Sequence, residues 1–340
     1  MRGMEAGWAA VARLYHAWIT GLILFVVTRR GTDAAAELVF RLFRRQHREK
    51  FLSGIEKLGL SGLPDAVASA QYHYLSNLIG GVRVEYIPES ERKAWIRYPA
   101  PRWMWQGTAI CAVPGDVSRA MLRGWHAENG VSLGNPCLGF VCTKQTVDGQ
   151  DALEGYFLDY GRELAAEERL RFAPDEAAPL FDPALAPRLP GGVWSPDRVA
   201  KAARNYAIEY VRSALPELVG LFGPAEARFL AGRSAYLVGL QFGEEVKAML
   251  GIGAGAAGFA ELFRRLAVAQ GDAVEIAAEG AGLLVRQRGW RLQPDPVDGE
   301  DGFLAWNGLW EGALAAHDRR LRWQLVSRSG GESLWRIERA

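Results

Sequence analysis

The hydrophobic period of this chain switches from helical to alternating twice on each side of a proline-rich stretch, and that repeated switch restricts the available folds more than any other feature. From Ala9 to about Leu60 apolar and polar residues sort onto two helical sides, with Leu38, Leu42 and Phe43 opposite Arg41, Arg44 and Arg45. A further helix runs from Pro64-Asp65 through Ala66, Ala70, His73 and Asn77 to a glycine stop at Gly80-Gly81. Alternation then begins. Val82, Val84 and Tyr86 share one strand face, Pro88 to Glu91 reads as a turn, and Lys93 to Tyr98 completes a hairpin. Val117 to Asn129 returns to helical spacing. Leu138 to Thr146 and Glu154 to Tyr160 form a second hairpin across Asp148-Gly149, a pair suited to left-handed turn conformations.

Residues from Phe172 to Pro196 are rich in Pro, Ala and Asp and hold no period, as expected of a linker or a strap over the surface. Beyond them the order repeats. Helices are expected over Asp197–Leu215, Ala225–Leu250 and Phe259–Ala269, then a hairpin (Val274–Ala277, Gly282–Leu292), the helix Phe303–His317 and a closing hairpin (Leu321–Ser327, Ser333–Ile337) turned at Gly330-Gly331. The expectation is an α+β protein of two tandem similar domains, 1–171 and 197–340, joined by linker 172–196. Each domain packs helices on an antiparallel sheet, and internal duplication accounts for the repeated order.

Composition narrows the partners. Lys plus Arg number 40 against 39 Asp plus Glu, a formal charge of +1, so no broad field draws the chain to nucleic acid. With 49% hydrophobic and 23% charged residues it can bury a full core. The three cysteines Cys111, Cys137 and Cys142 are too few for a secreted disulfide framework and point to the cytoplasm. The apolar run Trp18–Val27 is shorter than the roughly 20 residues a bilayer span needs, so a buried or partner-facing helix is expected and no membrane.

Candidate chemistry crowds into the first half. His73 and Asn77 lie one helical turn apart and can face a common pocket. On the strand Lys93–Tyr98, Lys93, Trp95 and Arg97 share a side, and cations flanking an indole suit a carboxylate ligand; a solvated strand face is the alternative. His126 ends a helix beside Asn129 and can act as acid or base near neutral pH. Cys142 lies mid-strand near Lys144, where a lowered pKa would make it a nucleophile, although buried cysteines are usually plain apolar filler. Glu154 and Tyr156 share a face, and a carboxylate there could orient His126 or activate water. The five histidines show no metal-ligand spacing. Gly253-Ala-Gly-Ala-Ala-Gly258 matches the dinucleotide pattern, but a helix precedes it where that motif needs a strand, so neither metal nor cofactor is expected.

The closing run Phe303-Leu-Ala-Trp-Asn-Gly-Leu-Trp-Glu-Gly-Ala-Leu with Leu321-Arg-Trp-Gln-Leu-Val-Ser-Arg-Ser-Gly-Gly-Glu-Ser-Leu-Trp-Arg-Ile resembles the end of the 4-vinyl-reductase-type small-molecule-binding domain. That family often carries cysteines where Ser327 and Leu334 stand here, so its metal-thiolate role does not transfer. Cys111-Ala-Val-Pro, His126-Ala-Glu-Asn-Gly and the hairpin holding Cys142 and Glu154-Gly-Tyr resemble the L-2-amino-thiazoline-4-carboxylic acid hydrolase-like family. The resemblance implies a hydrolase or lyase acting on a C–N or C–S bond of a carboxylate-bearing small molecule. The alternative is a non-catalytic binding or sensor protein with a pocket of Trp95, Trp103, Trp105 and Trp125. Trp306, Trp310, Trp323 and Trp335 offer material for a possible homodimer surface in the second half.

Overall fold

The computed structural model describes residues 2–105, 111–292 and 299–340, and the chain they trace is an α+β protein. It divides into two compact units, Val26–Val199 and a second made of Met1–Phe25 with Ala200–Ala340. The N-terminal segment therefore groups with the C-terminal half, a departure from the domain boundary at 171 read from the sequence. Apolar matching explains it. Helix α1 (Arg2–Arg30) buries Trp18, Leu22 and Val11 completely. Tyr15 and Trp18 meet the ring of Trp306 edge-on at 4.9 and 5.3 Å, and the Tyr15 hydroxyl donates to Gln270. Gly3–Arg30 is long and apolar enough to cross a membrane, a test that the core helix of a soluble protein also passes.

In the Val26–Val199 unit, Gly31 (φ 85°) opens α2 (Thr32–Lys57), and α3 (Asp65–Ile79) ends at the predicted glycine pair. Then come β1 (Glu85–Ser90), β2 (Lys93–Pro99), the short pair β3 (Met104–Trp105) and β4 (Cys111–Ala112), α4 (Gly115–Gly124), α5 (Asn129–Leu133), β5 (Leu138–Lys144), β6 (Ala152–Asp159) and β7 (Leu170–Phe172). The main sheet has the order β1-β2-β6-β5-β7, antiparallel except between β5 and β7. Helix α3 packs on β1, β2 and β6, and α4 packs on α2, where a side chain at Gly124 would meet the Phe40 carbonyl.

Two elements differ from the sequence reading. The first strand starts at Glu85 and runs through Pro88, because the register slips between Pro88 and Ser90 and an irregular edge tolerates a residue without an N–H. The helix expected over Val117–Asn129 breaks at Trp125 into a 3-10 turn, His126–Glu128, before α5. After β7 the stretch expected as a strap behaves as one: Ala173, Ala178 and Phe181 pack against Ile87, Trp95, Val141 and Tyr156.

The second unit continues with α6 (Pro196–Phe222), α7 (Pro224–Met249), α8 (Gly255–Gln270), β8 (Ala273–Glu279), β9 (Gly282–Arg288), α9 (Gly299–His317), β10 (Leu321–Ser329) and β11 (Glu332–Arg339). Its sheet reads β8-β9-β11-β10. In both units two hairpins flank one helical segment in sequence and meet through their second strands. The glycine-rich Gly253–Gly258 spans the break after α7 and the first turn of α8, so a helix precedes it where a dinucleotide site requires a strand.

Helices α7 and α9 approach so closely that a methyl group at Gly239 would land on the Leu309 carbonyl, and one at Gly312 on the Tyr236 carbonyl. In α6, by contrast, a methyl at Gly220 meets nothing. Thermal or urea unfolding of Gly239→Ala should show a loss of roughly 1–3 kcal/mol from overpacking. Gly220→Ala should gain up to about 1 kcal/mol from helix propensity alone. Equal effects at both positions would contradict this helix packing.

Candidate functional site

Strand alternation decides where each candidate residue goes, since successive side chains on β6 point to opposite sheet faces. Phe157 points to the helix-covered face, whereas Glu154 and Tyr156 point to the face under the strap.

On the helix side the histidines gather. The ring of His73, from α3, stacks on His126 at 4.1 Å with 16° between planes. Both rings lie nearly parallel to Phe157, at 5.4 and 5.9 Å, and His126 also meets Phe140 of β5 at 4.6 Å. Trp125 links them to His47 of α2, with centroids 6.2 Å from His73 and 5.7 Å from His47. His47, His73, His126, Asn77 and Asn129 are all buried. His47 was absent from the sequence candidates, although it shares the apolar side of α2 with Phe43 and Phe51, four residues away each way, and that spacing marks it as inward-facing.

Hydrogen bonds order part of this cluster. Asn129 Nδ2 donates to His73 Nε2 at 3.1 Å, which leaves the ring proton on Nδ1, facing the Tyr98 hydroxyl at 3.5 Å. Asn77 Nδ2 donates to the His73 carbonyl at 2.8 Å and lies 3.5 Å from the Tyr98 hydroxyl. Among the described residues both ring nitrogens of His126 and Trp125 Nε1 have no hydrogen-bond partner, and His47 has Asn129 as its polar neighbour. Each such buried group costs about 1–3 kcal/mol unless something satisfies it.

Burial holds the three imidazoles neutral. It pushes His47 down to about 4 and His73 to about 3, and it lowers His126 well below its ordinary value. Nearby cations add to the effect, Arg44 and Arg48 at His47 and Arg102 at both His73 and His126, while Asn129 opposes it at His47 and His73. Arg102 lies over the rings of Tyr98 and Trp103 at 5.1 and 4.8 Å, and its buried Nε has no hydrogen-bond partner among the described residues. The surroundings of the three imidazoles are thus polar and aromatic, with Arg102 close by and Arg44 paired with Glu128 at 2.6 Å. Among the described residues no group of three or more His, Cys, Asp or Glu side chains is placed to hold a metal ion.

Lys93, Trp95, Arg97, Glu154 and Tyr156 fall on the opposite face and are engaged there, whereas Cys142 shares the face of Phe140. Lys93 Nζ lies 4.8 Å from the Trp95 ring and 4.2 Å from the Tyr156 ring, and it pairs with Glu89 at 3.2 Å. Trp95 Nε1 donates to Glu89 at 2.6 Å. Arg97 pairs with Glu85 and lies 3.7 Å from Glu154, so its fork is already matched to carboxylates. Glu154 accepts from Thr143 Oγ1 at 2.8 Å and from the strap N–H of Ala178 at 3.1 Å. The Tyr156 hydroxyl donates to Glu176 at 3.1 Å. Glu154 cannot orient His126 across the sheet, and this seam fastens the strap. Burial also pushes the Cys142 thiol up to about 12, with its Sγ–H directed at the Lys144 carbonyl, so it is a protonated thiol at neutral pH. The expected tryptophan pocket is divided likewise: Trp125 borders the histidines, Trp103 packs on Phe43, and Trp95 lies under the strap.

Comparison with known proteins finds no matching family model, curated protein or solved structure. The site must be read from its own chemistry.

The histidine pKa values fix a pH response. A histidine unfolded at its ordinary 6.5 takes up a proton below that pH, while the folded, neutral ring refuses it. Stability is therefore full above pH 6.5 and drains as pH falls, until about 4 for His47 and about 3 for His73. Between those limits each ring contributes a slope of roughly 1.4 kcal/mol per pH unit. Urea unfolding at pH 7 and pH 5 should show a smaller drop for His126→Phe than for the wild type; identical drops would mean that His126 is not held neutral.

Proposed function

We propose that this chain is a small-molecule-binding protein whose site is the histidine chamber of the Val26–Val199 unit, and that its ligand is a small carboxylate-bearing molecule. The observation that carries this reading is His126: a buried imidazole with both nitrogens unpartnered among the described residues, stacked on a second imidazole whose nitrogens are both engaged. A neutral ring offers one donor and one acceptor, and Asn129 Oδ1 adds a second acceptor. Arg102, whose charge acts on both His73 and His126, supplies positive potential that an anionic ligand can use. Phe140, Phe157 and Trp125 supply the apolar walls usual in such sites.

Binding is favoured over turnover. The hydrolase or lyase reading required a thiolate at Cys142 and a carboxylate behind His126, and the thiol is held protonated while Glu154 belongs to the strap seam. One feature still favours chemistry as a second reading: His126 has a free nitrogen lone pair with which to take a proton from a bound group.

The shared strand order β1-β2-β6-β5 and β8-β9-β11-β10 supports internal duplication, and it suits the 4-vinyl-reductase-type likeness inferred from the closing run. On this view one copy kept a polar chamber and the other filled the corresponding space with Phe263, Trp310, Trp323 and Trp335. The free thiols of Cys111, Cys137 and Cys142 support a cytoplasmic setting, and the burial of α1 supports a protein that works away from the membrane.

Native mass spectrometry of the purified protein beside a denatured control tests the reading. The expected result is a bound acidic metabolite, released on denaturation and lost from the folded double variant His126→Leu/Asn129→Leu. A wild type that carries nothing and takes up no carboxylate from a metabolite mixture would contradict it. Conversion of the bound molecule by the wild type, abolished in His126→Leu, would move the assignment to the second reading.

A further inference from the structure

We infer that the groove between α7 and α9 in the second unit is the docking face for a second copy of this chain. The groove is a shallow, open depression of about 860 Å³, and its charges are sorted by wall: Arg228 and Arg233 stand on α7, and Asp301 and Glu311 on α9. Among the described residues none of the four is held in an ion pair, although Glu311 accepts a hydrogen bond from Asn307 at 2.8 Å and feels the charge of Arg233 across the groove. The glycine contacts explain why. Gly232 lies against Ala305, and Gly239 against Leu309, so the backbones touch and the long side chains project outward on opposite rims.

A surface with one basic and one acidic wall is complementary to itself after a half-turn, because the α9 wall of one copy then faces the α7 wall of the other. Isologous two-fold dimers require such self-matching. The apolar content agrees. Phe229, Leu237 and Leu240 on α7 are 43%, 45% and 43% exposed. At 3.6 residues per turn they fall within about 80° of one another, a sector they share with Arg233, and Phe229 itself lines the groove while also meeting Phe25 at 5.9 Å. Tyr236 and Leu304 line the groove floor, and its cations are both arginine. Arginine and aromatic residues are enriched at protein interfaces, whereas lysine is depleted. In the dimer the α7–α9 pair of each copy meets its mate, and four helices bury Phe229, Leu237 and Leu240.

Light scattering coupled to size exclusion gives the test, with two charge-reversed variants. The wild type should run at twice the 37.4 kDa of one chain. Arg228→Glu/Arg233→Glu and Asp301→Arg/Glu311→Arg should each be monomeric alone, since one has two acidic walls and the other two basic ones. Mixed in equal amounts they should re-form a dimer, which also shows that both are folded. The wild-type dimer should weaken by roughly tenfold or more between low and high salt, a reading that needs no variant. A monomeric wild type at about 100 µM would overturn the proposal, because an interface of this kind saturates well below that concentration. So would variants that stay dimeric, a mixture of folded variants that stays monomeric, or a dimer indifferent to salt.

Discussion

The stacked pair His73 and His126 is the contact on which the candidate site depends. Two imidazoles 4.1 Å apart cannot both carry charge in a buried space, and burial keeps both neutral. Neutrality then dictates hydrogen bonding. His73 is fixed by Asn129 on one side and Tyr98 on the other, while among the described residues His126 meets only aromatic packing and keeps its polar atoms unspent. A core built only for stability would place a phenylalanine there.

The two sheets differ in their outer faces as well. In the first unit the strap covers the sheet and is fastened by Glu154, Tyr156 and the Trp95 cluster. In the second unit the outer face of the sheet carries cross-strand ion pairs in solvent, Arg288 with Glu275 and Glu332, and Arg336 with Glu279. Such exposed pairs contribute little stability each, so cohesion there comes from the aromatic inner face and from α1. The strap matters to the site indirectly. It holds the back of β6 and β5, whose Phe157 and Phe140 form the floor beneath His126.

Much of the architecture was legible because its signals are local. The glycine stop at Gly80-Gly81, the Asp148-Gly149 turn and the alternation along Lys93–Tyr98 each depend on a few neighbouring residues, and each reappears in the fold. The candidate site was half legible. His73 with Asn77 on one helix face, and His126 beside Asn129, were found by spacing, but their separation from Glu154, Arg97 and Trp95 was not. Face assignment requires knowing which side of the sheet the helices cover, and that is set by packing between elements distant in the chain. Helix α1 shows the same limit: its pattern marks a buried helix, and nothing local says which unit buries it. His47 is different, since its spacing with Phe43 and Phe51 was available, and the surrounding basic run Arg41–Lys50 drew attention to the solvated face instead.

The most direct measurement on the central claim is a crystal structure of the protein as purified, at a resolution that distinguishes a bound organic molecule from ordered water. Density for a small acid hydrogen-bonded to a ring nitrogen of His126, between Phe140, Phe157 and Trp125, is the predicted result. Ordered water alone at both His126 nitrogens, unchanged after soaking with small carboxylates, would show that the histidines are structural and contradict the account.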